Sequence, residues 1–139
     1  MQLNKLVPEL IITDLSKSYH FWVEFLGFSI KYQRIEEKFM YLERDDVQFM
    51  LEEQQEEQWL TGELNYPLGR GINFQIEVKK IDDILNILKK VQWPIFSELE
   101  ERWYRTEDVE HGQKQFLVQD PDGYLLRIIE VLGDRLIKN

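Results

Sequence analysis

The amino-acid sequence predicts an α+β fold made of two similar units, each with the order strand, helix, strand, strand, strand (βαβββ). Two stripes of apolar residues spaced three and four apart predict the helices. The first stripe consists of Leu15, Tyr19, Trp22, Phe25 and Leu26. The second lies about 65 residues later and consists of Ile81, Ile84, Leu85, Leu88 and Val91. Because only two copies occur, the pattern indicates a duplicated unit and not a longer repeat array.

Each helical stripe follows a predicted strand, residues 7–13 in the first unit and residues 72–78 in the second. Asp14 or Ser16 can cap the first helix, since a short polar side chain satisfies free backbone N–H groups at a helix start. Gly27 is typical of a helix end, where glycine adopts a left-handed conformation without strain. The helix of the first unit is therefore expected to end just before residue 28.

The chain reads as one domain, residues 1–139, with module one at about 5–53, a linker at about 54–70 and module two at about 71–133. The linker is polar and contains turn-forming glycine and proline. Residues 97–112 form a second stretch without clear periodicity, so we expect irregular structure there before the last two strands.

Strict alternation in the strands separates two faces of each sheet. Val47, Phe49 and Leu51, for example, point away from Gln48 and its alternate neighbours. One face is expected to pack on the two helices. The other face carries Glu9, Phe39, Tyr41, Glu43, Gln48, Glu52, Asn73, Gln75, Glu77 and Arg127. If the sheets curl, this second face is a polar and aromatic cleft. The alternative is a solvated face of an antiparallel sheet, which such sheets commonly have.

Composition limits the classes of partner. The chain has 17 Lys and Arg against 26 Asp and Glu, a formal charge of −9, which disfavours nucleic acid and tolerates a cationic ligand. With no cysteine, a disulfide framework, a zinc–thiolate site and a thiol nucleophile are excluded. No apolar run has the length of a membrane span and no signal-peptide stretch precedes the first strand. The expected location is cytoplasmic.

Catalytic motifs are sparse. There is no Gly-x-Ser-x-Gly nucleophile elbow, and Gly69-Arg70-Gly71 lacks the rest of a phosphate-binding pattern. Of the two histidines, His20 reads as a surface residue of the first helix. His111, in the irregular stretch, is a candidate ligand contact. Three carboxylates of the cleft face could perform acid–base work or bind a cation: Glu9, Glu52 and Glu77.

Several segments together resemble a known family. They are Val7-Pro8, Thr13-Asp14-Leu15, Phe21-Trp22-Val23-Glu24-Phe25-Leu26-Gly27-Phe28, Arg44-Asp45-Asp46-Val47 and Phe116-Leu117-Val118-Gln119-Asp120-Pro121-Asp122-Gly123. Their order and spacing resemble the vicinal oxygen chelate superfamily, and within it the bleomycin resistance proteins. The resemblance implies paired βαβββ modules whose curled mixed sheets form a cleft, with helices on the outer face.

Enzymes of that superfamily bind a divalent metal through His, Gln or Glu at four positions, which here are Val7, Met50, Asn73 and Arg127. Divalent ions need imidazole or carboxylate donors. Asn73 offers only a carbonyl oxygen and Arg127 would repel the ion. Bleomycin resistance proteins are similar in lacking this set, so the resemblance implies no metal, no cofactor and no catalysis.

The resemblance also places Phe39 in the drug-binding crevice. A Trp-Gly pair of the resistance proteins is replaced here by His111-Gly112-Gln113, and Trp103 could supply the missing ring. The predicted ligand-binding residues are Phe39, Tyr41, Glu52, Gln75, Glu77, Trp103, His111 and Arg127. The predicted ligand is a cationic or amphipathic small molecule, with a bleomycin-type glycopeptide as the candidate.

A homodimer that exchanges its N-terminal strand is expected, because Pro8 confines that strand to a sheet edge or a bend. Two alternatives stay open. One is a metal-dependent enzyme of the same superfamily with an unusual ligand set drawn from Glu9, Glu52 or Glu77. The other is an interaction module with a vestigial cleft.

Overall fold

The computed structural model describes residues 2–56 and 58–137 and divides into two compact units. Unit 1 comprises Met1–Leu68 together with Asp120–Gly123, and unit 2 comprises Gly69–Gln119 with Tyr124–Asn139. Each unit contains one four-stranded mixed sheet and one main helical segment. The predicted α+β fold of two βαβββ units is therefore confirmed.

In unit 1 the helical segment follows the first strand. The elements are β1 (Glu9–Ile12), α1 (Leu15–Tyr19) continued by a π-helical turn (His20–Phe25), β2 (Ser29–Arg34), a 3₁₀ turn (Ile35–Glu37), β3 (Phe39–Arg44) and β4 (Val47–Glu53). The strand order is β1-β4-β3-β2, with β1 parallel to β4. Strand β1 is thus an edge strand, the position to which Pro8 immediately before it confines a strand, and it pairs with β4 of the same chain.

Unit 2 repeats this plan with longer strands. Its elements are β5 (Asn73–Glu77), α2 (Ile81–Lys90), β6 (Ser97–Thr106), β7 (Val109–Gln119) and β8 (Leu125–Leu136). The strand order is β5-β8-β7-β6, with β5 parallel to β8. The predicted stripe of α2 packs as expected through Ile81, Ile84, Leu85 and Leu88, each at most 5% exposed. Val91 lies beyond the helix and is exposed.

The first helix differs from the predicted stripe. Asp14 caps its start by accepting from the Lys17 N–H at 3.1 Å, but the segment ends in a π turn in which Leu26 N–H donates to Phe21 O. A π turn contains more residues than an α turn, so the buried side rotates along the sequence. Phe21 is fully buried in place of Tyr19, which is 37% exposed.

The expectation of irregular structure over residues 97–112 is wrong. Strands β6 and β7 form a long antiparallel hairpin across this stretch, with Trp103 opposite Gly112 and Tyr104 opposite His111. Strand β6 is mostly charged and exposed, so it lacks the alternation that identifies a half-buried strand. Cross-strand pairing, which no local pattern reports, defines it instead.

The turn at residues 120–123 packs into unit 1 through two buried carboxylates. Asp120 is 2% exposed and accepts from Trp22 Nε1 at 3.2 Å. Asp122 is 3% exposed and accepts from both the N–H and the hydroxyl of Thr13. At Gly123 φ is +95°, and a Cβ would lie 2.5 Å from Pro67 Cβ. Only glycine fits at this position. Through Asp120 and Asp122, the turn connects the residue that follows β1 to the helical segment of unit 1.

In the part of the chain that the structure describes, no helix has the length and apolarity needed to cross a membrane.

The Asp122 contacts generate a stability prediction. Replacing Asp122 with Ala removes the acceptor of two hydrogen bonds from Thr13, so we expect a loss of about 1–3 kcal/mol in the free energy of unfolding. Urea unfolding measures it as a lower midpoint with an unchanged slope. The control is Glu63→Ala, an exposed carboxylate of the same unit, expected to change stability by about 0.5 kcal/mol or less. Equal effects of the two variants would contradict the structural role.

Candidate functional site

One face of the sheet of unit 1 is turned away from the helix. On this face the strand register places side chains next to one another in rows across the four strands, and each row is called a level. At one level lie Arg34 on β2, Phe39 on β3, Glu52 on β4 and Ile11 on β1. At the next level lie Tyr32, Tyr41, Met50 and Glu9 on the same four strands. The face is thus aromatic on the β2–β3 side and acidic on the β4–β1 side.

The aromatic side is closed in this structure. Phe39 and Tyr41 are each only 2% exposed. The ring of Tyr32 stacks on Tyr41 at a centroid distance of 5.0 Å, and the Arg34 guanidinium lies 4.1 Å from the Phe39 ring centroid. The predicted ligand contacts of Phe39 and Tyr41 therefore stay predictions, and in this conformation Tyr32 and Arg34 cover both rings.

The sequence pattern missed Tyr32 and Arg34 because β2 contains a register shift between Ile30 and Tyr32. A bulge of one residue moves the following side chains to the opposite face of a sheet. The two-residue spacing of Tyr32 and Arg34 was a usable signal for a shared face. Which face they share depends on the pairing with β3.

A hydrogen-bond network closes the far end of the same face. Gln48 is 4% exposed and accepts from the Tyr41 hydroxyl at 2.6 Å and from the Asn4 N–H at 2.7 Å. Its amide donates to Glu43. Hydrogen bonds from Gln48 and from Lys31 hold the pKa of Glu43 below its ordinary value. Glu43 and Gln48 are thus engaged with protein groups and not presented to a ligand.

The acidic side is open and forms a pocket of about 360 Å³. Its lining residues, which define the acidic pocket, are Glu9, Ile11, Glu52, Gln58 and Trp59. Trp59 is 97% exposed, so its indole is available to a ligand at the pocket rim. Of these five residues, only Glu52 belongs to the ligand-binding set that the sequence predicts.

The segment after β4 shapes the acidic pocket. Gln58 Nε2 donates to Glu52 Oε1 at 3.0 Å, and Gln55 Nε2 donates to the same oxygen at 3.2 Å. These bonds orient the Glu52 carboxylate with Oε1 occupied. No sequence signal could have found Gln58, because its place depends on the path of the linker back over β4.

The two carboxylates of the acidic pocket influence each other. Partial desolvation and then the negative charge of Glu52 raise the pKa of Glu9, while Arg34 acts in the opposite direction. A raised pKa means that the negative charge on Glu9 is under-compensated. A bound cation would relieve this, so the arrangement favours a positively charged ligand group.

On the sheet of unit 2, the face turned away from α2 carries Arg127 in register with Gln75 on β5 and Leu117 on β7. Asn73 and Glu77 lie one alternate position to either side of Gln75. Arg127 is half-buried, whereas Asn73, Gln75 and Glu77 are exposed. The structure therefore brings together three of the predicted site residues, Gln75, Glu77 and Arg127.

Two predicted residues lie elsewhere in unit 2. Trp103 pairs with Gly112, an even-numbered position of β7, and so lies on the face opposite Arg127, which pairs with Leu117. The indole of Trp103 lies over Gly112. The Cζ atom of Arg135 lies 3.9 Å from the centroid of the same ring. Trp103 therefore does not lie beside Arg127 on the sheet of unit 2, and its predicted ligand contact stays a prediction.

His111 is on the Arg127 side of β7 but about 20 Å along the strand from Leu117. Its Nδ1 lies 2.6 Å from Asp134 Oδ1, and the pair is exposed. The structure does not bring His111 near Gln75, Glu77 or Arg127. Its predicted ligand contact remains untested.

The residues at the family's metal positions do not fit a divalent ion. Val7 and Met50 offer no oxygen or imidazole donor, Asn73 offers one carbonyl oxygen, and Arg127 is positively charged. Over residues 2–56 and 58–137, no three or more His, Asp or Glu side chains are grouped to hold a metal ion.

A comparison with solved structures finds a relative by sequence identity. The chain is 38% identical to a glyoxalase/bleomycin resistance protein/dioxygenase superfamily member from Vibrio splendidus 12B01, over 89% of this chain and 95% of that one, with a TM-score of 0.42. By this sequence identity, the chain belongs to the glyoxalase/bleomycin resistance protein/dioxygenase superfamily.

Two more distant structures share the fold. A glyoxalase/bleomycin resistance protein/dioxygenase from Alicyclobacillus acidocaldarius is 20% identical over 94% of this chain and 92% of that one, with a TM-score of 0.63. A protein of unknown function from Agrobacterium tumefaciens str. C58 is 21% identical over 95% and 97%, with a TM-score of 0.72. No family model and no curated protein matches the chain.

The coupling of the pocket carboxylates generates a pH prediction. Replacing Glu52 with Gln removes the neighbouring negative charge, so the pKa of Glu9 is expected to fall, whereas Arg34→Gln is expected to raise it further. Titration of the side-chain carboxyl carbons by NMR measures both changes, and Glu63→Gln is the control. A pKa of Glu9 that ignores both substitutions would show that the two side chains do not interact.

The sign for stability follows from the raised pKa. The folded state keeps the Glu9 proton to a higher pH than the unfolded state does. Protonation of Glu9 therefore contributes to the free energy of unfolding, and this contribution is fully present below the ordinary pKa of a glutamate. It is lost as the pH rises through the folded-state value. Glu9→Gln should remove that part of the pH dependence.

Proposed function

We propose that this protein is a metal-free small-molecule binding protein of the bleomycin-resistance type, which sequesters a cationic or amphipathic ligand in the acidic pocket. The observation that carries the proposal is the presence of Glu9, Glu52 and the exposed indole of Trp59 around one pocket. The first two attract a cation and the third offers an aromatic face.

The chemistry of the pocket supports this ligand class. A cation near an indole face is attracted by the ring quadrupole, and the same face accepts a flat apolar group. Ile11 adds apolar surface between the two carboxylates. The net charge of −9 raises the local concentration of cations over the whole surface.

A bleomycin-type glycopeptide offers both a cationic part and a flat aromatic part. The pocket of about 360 Å³ is at the small end of the range for ligand sites. A glycopeptide would therefore place one group in it and leave the remainder on the surrounding face. Sequestration needs no chemical step, and the expected role is binding without turnover.

Ligand binding can be followed through tryptophan fluorescence. Bleomycin or phleomycin is expected to quench the emission with saturation, and the affinity should fall as salt is added, since exposed charges are screened. Glu9→Gln and Glu52→Gln should each weaken binding by about twofold to fivefold, the scale of an exposed ion pair. Glu63→Gln is the charge-matched control, and Trp59→Phe should remove most of the quenching.

Phe39→Ala is unsuitable as a binding variant. Because Phe39 is buried, its truncation is expected to act on folding stability through a cavity. Unchanged fluorescence together with an unshifted melting curve at millimolar drug would reject bleomycin-type glycopeptides as the ligand of the acidic pocket and leave it open to some other molecule.

The alternative function is a metal-dependent enzyme with a ligand set from Glu9, Glu52 or Glu77. The closeness of Glu9 and Glu52 is the observation that favours it. A ligand that binds only the native state must raise the melting temperature. Because we propose a metal-free protein, we expect no such rise with Ni²⁺, Zn²⁺, Mn²⁺ or Fe²⁺. A rise with one of these ions that disappears in Glu9→Gln, and persists in Glu63→Gln, would support the enzyme instead.

The assembly and location belong to the same proposal. A homodimer with exchange of the N-terminal strand would use the edge position of β1 and Pro8, and the exchange requires β1 to leave its present pairing with β4 of the same chain. Sedimentation at micromolar concentration tests it, and a monomer would contradict it.

A cytoplasmic location is supported by the absence of cysteine. Nucleic acid and membrane are not proposed as partners, and an interaction module with a vestigial cleft is the outcome if no small molecule binds.

A further inference from the structure

The side chain of Arg127 contains a buried donor that has no hydrogen-bond partner among the described residues. This donor is its Nε atom. Four other arginines pair with carboxylates, namely Arg34 with Glu37, Arg44 with Asp45, Arg102 with Glu100 and Arg135 with Glu110. Within residues 2–56 and 58–137, Arg127 forms no such pair.

An unsatisfied buried donor on a charged group is costly to the folded state and calls for an explanation, of which a bound ion is one. Glu77 is the nearest acidic side chain on the same face of β5, but it lies opposite Ile129, one alternate position along from the Gln75–Arg127 pair. It forms no ion pair with Arg127 among the described residues.

We propose that Arg127 anchors an anion-binding site on the sheet of unit 2, and that the site takes the carboxylate of a small apolar monoacid. The guanidinium presents a planar fork that matches a carboxylate through two parallel hydrogen bonds. The exposed amide of Gln75, in register beside it, can add a further donor.

The neighbours of Arg127 select for a single negative charge and an apolar body. Leu117 is its partner on β7, and Leu125 lies two residues before it on β8; both leucines are half-buried. Glu77 on the same face disfavours a dianion such as a phosphate monoester, by like-charge repulsion. A monocarboxylate with an aromatic or aliphatic body satisfies all of these conditions.

Arg127 stands at one of the positions where enzymes of the superfamily hold a metal ligand. Its guanidinium is positively charged, so it would attract an oxyanion directly, without a metal ion between them. The site is built from residues of unit 2, whereas the residues of the acidic pocket belong to unit 1. Its probe and its readout also differ from those of the proposed function.

The test compares sodium benzoate with benzamide, its neutral isostere, in NMR titrations at constant ionic strength. Benzoate is expected to give saturable amide shifts centred on Gln75, Leu117 and Arg127, and benzamide is not. Arg127→Gln should weaken benzoate binding about tenfold or more, the scale of a charge-assisted bond. Arg127→Lys should retain part of the affinity because it keeps the charge and loses the fork.

Arg102→Gln is the matched control, since Arg102 is an exposed arginine of the same unit with a carboxylate partner. Its benzoate affinity should equal that of the unmodified protein. If Arg127→Gln does not fold, the benzoate and benzamide titrations of the unmodified protein and of Arg127→Lys decide the question. Equal shifts with benzamide, equal shifts with chloride, or full binding by a folded Arg127→Gln would each overturn the proposal.

Discussion

The buried carboxylates of the turn at residues 120–123 are the contacts on which unit 1 most depends. Asp120 binds the indole of the π-helical turn and Asp122 binds the last turn of chain after β1. Both carboxylates are almost fully removed from solvent, where an unpaired partner would be costly. They therefore fix the position of β1 relative to the helical segment. Strand β1 carries Glu9 and Ile11 of the acidic pocket and pairs with β4, which carries Glu52.

The parallel register of β1 and β4 then creates the acidic pocket. Glu9 lies opposite Met50 and Ile11 lies opposite Glu52, so the two carboxylates occupy diagonal positions on one face. Neither charge is neutralised by a direct ion pair in the described residues, and desolvation together with their mutual repulsion raises the pKa of Glu9. A site of this kind attracts cations because the fold has brought like charges together.

The two units differ in the sign of the charge that they offer. Unit 1 presents carboxylates and an exposed indole at the acidic pocket, whereas unit 2 presents a guanidinium whose Nε is unsatisfied. Duplication of the βαβββ plan has thus kept the backbone pattern and separated the chemistry. Superfamily membership is shown by the sequence identity to the Vibrio splendidus protein, and it is compatible with either kind of ligand, since function resides in the site and not in the fold.

The sequence by itself determined the two βαβββ units and the strong negative charge, which follow from local periodicity and from composition. Its resemblance to the superfamily identified the metal positions, where the residue types Val7, Met50, Asn73 and Arg127 are unsuitable as a ligand set. Only the tertiary structure decided which side chains are accessible. The bulge before Tyr32, the π turn that buries Phe21, the β6–β7 hairpin and the fold of the linker onto Glu52 all depend on pairing and packing between segments distant in the chain, which no local pattern encodes.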